Sequence, residues 1–244
     1  GVVGESGCGK STLGRCIAGL YRPSGGEVLW QGRPLAASGN RQAISRQIQM
    51  IFQDPYSSLN PRMTVEQTLT EVLTAHRLAG SSKEKAERVE ELLLTVGLPP
   101  RLKDRLPYAL SGGQRQRVSV ARALALEPRL IIADEPVSAL DASVQAQIIN
   151  LFVELREKFG LAFVFIAHDL NVVRHISHRV AVMYLGEVVE LAEADTLFEA
   201  PRHPYTKALL SAIPRPDPEQ RMAAVGLAGE LPDPLNPPAG CSFS

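Results

Sequence analysis

The sequence predicts an α/β fold, a parallel sheet with helices built around a phosphate-binding loop. Residues 4–11, GESGCGKS, fit the pattern G-x-x-x-x-G-K-[ST]. RLIIADE (129–135) and LAFVFIAH (161–168) are short continuous apolar runs of buried-strand length. Between them Val144, Ile148, Leu151, Phe152 and Leu155 mark a helix, which completes a strand–helix–strand unit with parallel strands.

Taken in order, Val2 and Val3 end a first strand, followed by a glycine-rich turn and a helix carrying Leu13, Ile17 and Leu20. EVLWQGRPL (27–35) alternates between glycines and reads as strand and turn, with Trp30 and the nearby Tyr21 as structural residues. QIQMIFQ (47–53) is another strand, closed by the loop DPYSSLNP. From Val65 to about Leu106 the pattern is helical, with Ala86, Val89, Leu92, Leu93 and Val96 at three- and four-residue spacing. RVAVMYLGEVVELA (179–192) reads as two strands about a glycine turn. After Pro201 the chain is proline-rich and is expected to be irregular.

Composition narrows the function. The 244 residues are 45% hydrophobic, and 26 Lys and Arg balance 26 Asp and Glu, so charge points to neither nucleic acid nor an anionic membrane. No apolar run reaches the roughly 18 residues that span a bilayer. Cys8, Cys16 and Cys241 are too few and scattered for a disulfide framework. The chain opens on GVVGESG and closes on GCSFS, so both ends read as cut and a fragment of a longer protein is expected.

The chemistry begins in the loop. Glycines let successive backbone N–H groups turn inward on a phosphate, and the following helix presents its positive end. Gly4, Glu5, Ser6, Gly7, Cys8, Gly9, Lys10 and Ser11, with Thr12 after them, are the expected nucleotide-binding stretch. Lys10 reaches the β- and γ-phosphates, and the Ser11 hydroxyl is a Mg²⁺ ligand. RLIIADE delivers Asp134 and Glu135 to the C-terminal end of a buried strand, where ligands of open α/β sheets gather. Asp134 is expected to hold the Mg²⁺ shell and Glu135 to act as base for an attacking water. Gln53 and His168 each end a strand. Alone either is compatible with a solvated or structural residue. In a parallel sheet both reach the same edge, Gln53 to sense Mg²⁺ or the water and His168 to hydrogen-bond the γ-phosphate.

A second glycine-led helix start, Leu110-Ser111-Gly112-Gly113-Gln114, stands before a basic amphipathic helix. Ser111 is a good N-cap in its own right. Since one loop already serves one phosphate, this start could face a nucleotide held by another subunit, its free N–H groups favouring a γ-phosphate.

With Lys10, Gln53, LSGGQ, ADE, SALD and His168 in this order, the sequence resembles ATP-binding-cassette (ABC) ATPases over essentially its whole length. The resemblance implies a P-loop NTPase with a RecA-like core over 1–55 and 111–192, a helical subdomain over 56–110, and a C-terminal extension over 193–244. It implies ATP and Mg²⁺, a sandwich dimer completed in trans by Ser111, Gly112, Gly113 and Gln114, and Asp141 in a loop that crosses the dimer interface. QMIFQDPYSSLNPRMTV, DEPVSALDASVQAQIINL, HPYTKALLSAIPRPDP and GELPDPLNPPAGCSF further resemble the ATPases of dipeptide and oligopeptide importers, particularly the F-type subunit.

That subfamily implies a second ABC ATPase as partner, either a D-type paralogue or a second copy. It also implies two membrane-spanning permease subunits, indirectly a substrate-binding protein, and a place at the cytoplasmic face of the inner membrane. Nickel and glutathione are the alternative cargoes, and a cassette acting on DNA or the ribosome is the non-transport alternative. Many members carry a cysteine cluster that can hold an iron–sulfur centre; with Cys241 alone in that region, none is expected here.

Overall fold

A computed structural model describes residues 1–35, 41–54 and 58–212, without the side chains of 41–43. In chain order the elements begin with β1 (Val2–Val3), α1 (Lys10–Ile17), β2 (Leu29–Trp30), β3 (Arg33–Pro34), α2 (Arg41–Gln47) and β4 (Ile48–Ile51). Next come α3 (Val65–Ala75), α4 (Ser82–Thr95), α5 (Gly112–Leu124), β5 (Leu130–Asp134), α6 (Ala142–Phe159) and β6 (Ala162–Ile166). The last are α7 (Leu170–Ile176), β7 (Arg179–Tyr184), β8 (Glu187–Glu193), α8 (Ala194–Glu199) and α9 (Pro204–Ser211). Contacts divide the chain into two units, Gly1–Leu13 with Phe165–Ser244, and Gly14–Val164.

In the first unit β1 runs parallel to the end of β6, with Val2 opposite Ile166, and parallel to β7, with Val3 opposite Val182. β7 turns back antiparallel into β8 through Leu185 and Gly186, whose φ values of 45° and 87° suit the tight primed turns of hairpins. Val3, Ile166, Val180 and Val182 are fully buried, and α7 and α8 supply Val173 and Leu197 to the same core.

In the second unit β4 and β5 pair in parallel from Ile48 opposite Leu130 to Ile51 opposite Ala133. All five residues of β5 are buried, which explains its unbroken apolar run. The helices α3, α4 and α5 bury Leu69, Leu73, Val89, Leu93 and Val120 completely. Each opens with a reciprocal capping box, Thr64 with Gln67, Ser81 with Glu84, and Ser111 with Gln114. A cap of this kind is worth about 1 kcal/mol, so these helix starts are locally encoded.

Three details depart from the sequence reading. α1 stops at Ile17, which leaves Leu20 beyond the helix and exposed. Arg41–Gln47 is helical although no apolar stripe marks it. The stretch after Pro201, expected to be irregular, contains α9, because Pro204 stands at the first helical position where its missing N–H costs nothing. The remainder of the proline-rich extension, residues 213–244 with Cys241, lies outside the described residues, as do 55–57 of the loop after Gln53. Among the described residues no helix is long and apolar enough to cross a membrane.

Candidate nucleotide site

The phosphate loop is built in the first unit. Gly4 has a φ of +149°, and a Cβ there would sit 2.2 Å from the Met183 carbonyl oxygen, so only glycine lets the loop leave β1 against β7. The Gly186 N–H donates to the Cys8 carbonyl at 3.1 Å and ties the loop to the β7–β8 turn. Lys10, buried to 5% exposure, donates to the carbonyls of Gly4 and Glu5 at 2.8 Å each. The ammonium thus folds over its own loop. Ser6, Gly7 and Thr12 are exposed, while Gly9 and Ser11 are half-buried. α1 carries no acidic residue in its first turn. Since Val2 lies opposite Ile166, the exposed His168 stands level with Gly4 at the end of its strand.

The acidic pair belongs to the second unit. Asp134 ends β5 at 2% exposure. Glu135 has a φ of +46°, a left-handed conformation that costs a non-glycine residue about 1–3 kcal/mol and clusters at functional sites. Ser138 supports the turn by donating its hydroxyl to the Glu135 carbonyl at 3.0 Å. Ile51 and Ala133 are opposite each other, so Gln53 and Glu135 emerge level from adjacent strands. The Gln53 amide donates to the Glu135 carboxylate at 3.1 Å and orients it. The structure therefore brings together the side chains proposed as water sensor and base.

Ser111, Gly112, Gly113 and Gln114 also lie in the second unit, at the start of α5. The Gln114 N–H donates to the Ser111 hydroxyl, and the Ser111 N–H donates to the Gln114 side chain. Both glycines have a packing reason. A Cβ on Gly113 would meet Val144 Cγ1 at 2.4 Å, and one on Gly112 would meet Leu140 Cδ2 at 3.1 Å. Asp141 caps α6, accepting from the Val144 N–H at 3.0 Å and the Ser143 hydroxyl at 2.7 Å. These bonds, Ser143 first, hold its carboxyl below the usual range.

The basic face of α5, which sequence reasoning left unexplained, works as a set of staples. Arg115 reaches the carbonyls of Pro107 and Leu110, Arg117 that of Val96, and Arg122 that of Ser58. Gln145 pins the turn before α6 through the carbonyls of Val137 and Leu140. Trp30 donates to Gln47, and the exposed Tyr21 packs with Arg15.

A loop, an acidic strand end and a capped glycine pair of this kind define an ATP-binding cassette. The family model described as ABC transporter matches residues 1–138, and the one described as oligopeptide/dipeptide transporter, C-terminal region, matches 189–244. The chain belongs to the ABC transporter family. It is 55% identical over 247 residues to the putative oligopeptide transport ATP-binding protein YkfD of Bacillus subtilis, covering 100% of this chain and 75% of that one. With the oligopeptide transport ATP-binding protein OppF of Escherichia coli it shares 54% over 247 residues, covering 100% and 74%. Among solved structures it resembles the ATP-binding cassette MJ0796, a dimer in a post-hydrolysis state bound to ADP and Pi. That match has a TM-score of 0.70 and 34% identity, over 79% of this chain and 84% of that one.

Proposed function

We propose that the chain is the ATP-hydrolysing subunit of an importer of di- and oligopeptides, one of two ATPases that close over ATP at the cytoplasmic face of the membrane. The observation that carries the hydrolytic reading is the Gln53–Glu135 contact at 3.1 Å beside a strained Glu135 backbone. The names of YkfD and OppF, and the matched C-terminal region, support peptides as cargo. The dimeric MJ0796 supports pairing of two cassettes, and the partner here is a D-type paralogue or a second copy. Two permease subunits and a substrate-binding protein complete the complex.

Each residue then has a task. Lys10 exchanges the carbonyls of Gly4 and Glu5 for phosphate oxygens. Ser11, Gln53 and Asp134 each offer an oxygen donor of the kind a hard cation takes, and would hold Mg²⁺. Mg²⁺, when bound there, supplies charge neutralisation on the phosphates. Glu135 takes a proton from the water whose oxygen attacks the γ-phosphorus, ADP leaves, and His168 with Lys10 stabilises the charge on the transferring group. Ser111, Gly112, Gly113, Gln114 and Asp141 serve the partner's nucleotide.

The test is ATP hydrolysis by the purified chain over a range of protein concentrations, with and without Glu135→Gln. Activity rising faster than linearly, and falling roughly 10²–10⁴-fold on substitution, is expected for a base in a sandwich dimer. A variant within about threefold of wild type would remove the base assignment.

A further inference from the structure

The segment HPYTKALL (203–210) carries no task in the reading above. We infer that Tyr205 is a positioning residue for the phosphate loop, holding the Gly4–Glu5 peptide from outside so that the loop keeps its shape when Lys10 turns to a phosphate. The inference rests on the nucleotide reading of that loop.

Tyr205 is fully buried on α9, and its hydroxyl accepts the Glu5 N–H at 3.1 Å across 200 residues of sequence. Its ring packs on Tyr184, at the end of β7, with centroids 4.5 Å apart. The Gly4–Glu5 peptide is thereby held on both sides, its N–H by Tyr205 and its carbonyl, that of Gly4, by Lys10 at 2.8 Å. A lysine that leaves for a phosphate gives up its side of this clamp. The Tyr205 side remains. Burial pushes the Tyr205 hydroxyl up to about 12, so it stays a neutral phenol at physiological pH.

The strut is itself braced. The His203 Nδ1 accepts the Tyr205 N–H at 3.2 Å and caps α9, and Pro204 occupies the first helical position. Glu190, on β8, accepts the N–H groups of Arg202 and His203 at 2.9 Å each. His, Pro and Tyr in this order thus form a cap, a helix start and a plug. A side chain present only to fill the core would need the ring and not the hydroxyl.

The full chain and its Tyr205→Phe variant should be compared by ATP binding in the presence of Mg²⁺ and by amide exchange at Glu5 without nucleotide. Removing the acceptor of this part-buried N–H is expected to raise the ATP Kd about 5- to 30-fold and to speed Glu5 exchange about tenfold or more. Leu197→Ala, a core change on α8, is expected to lower Tm while leaving the Kd within twofold. If Tyr205→Phe does not fold, His203→Ala, which removes the brace but keeps the hydroxyl, takes its place with the same expectation. A variant Kd and Glu5 exchange both within twofold of wild type would overturn the inference. Failure of the wild-type chain to bind ATP would instead sink the nucleotide reading, and Glu5 exchange alone would then decide the strut.

Discussion

Glu190 shows how a single side chain couples protonation to this fold. Burial, the largest single influence, pushes its carboxyl up, but the Thr206 hydroxyl, the N–H groups of Arg202 and His203 and the His203 charge together hold it below its ordinary value of 4.5. A depressed carboxyl binds fewer protons folded than unfolded, so its contribution is fully present above pH 4.5. The contribution is lost as pH falls through the folded value. The Tm advantage of wild type over Glu190→Gln should therefore be largest near neutrality and shrink below pH 4.5. Thermal melts at pH 7, 5, 4 and 3.5 measure this, and a constant difference would mean the carboxylate is not what matters. Glu135 is the counterpart at the proposed reaction centre. Its left-handed backbone costs stability, and the same turn delivers its carboxylate to Gln53.

At the scale of elements, α5 joins two demands in one helix start. Ser111 and Gln114 close a capping box, while Gly112 and Gly113 admit Leu140 and Val144. Overpacking of this kind costs roughly 1–3 kcal/mol, so Gly113→Ala should lower Tm by several degrees. Adding Val144→Ala opens the space and should restore most of that loss. ATPase activity of the double variant separates packing from nucleotide contact: recovery would show that Gly113 serves only the helix approach, and persistent loss is expected if Gly113 also faces the partner's phosphate. The cap was legible in the sequence, because a capping box is a spacing of three residues. The approach to Val144 was not, because it joins positions 31 residues apart in sequence on two different helices.

For the whole molecule, the peptide reading predicts that cells lacking this gene no longer grow on di- or tripeptides as the source of a required amino acid. Growth should return with the wild-type gene and not with Glu135→Gln, and unimpaired growth of the deletion strain would remove peptides as cargo. The sequence by itself determined the class of protein. The phosphate loop, RLIIADE and LSGGQ are contiguous stretches whose chemistry lies in residue type and spacing, so they can be read without coordinates. Only the tertiary structure decided which distant groups meet: Gln53 with Glu135 through the register of β4 on β5, and Tyr205 with Glu5 through the docking of α9. The physical reason is range. Caps, turns and loop glycines act over a few bonds of chain, whereas hydrogen bonds between remote segments exist only once burial has brought those segments together.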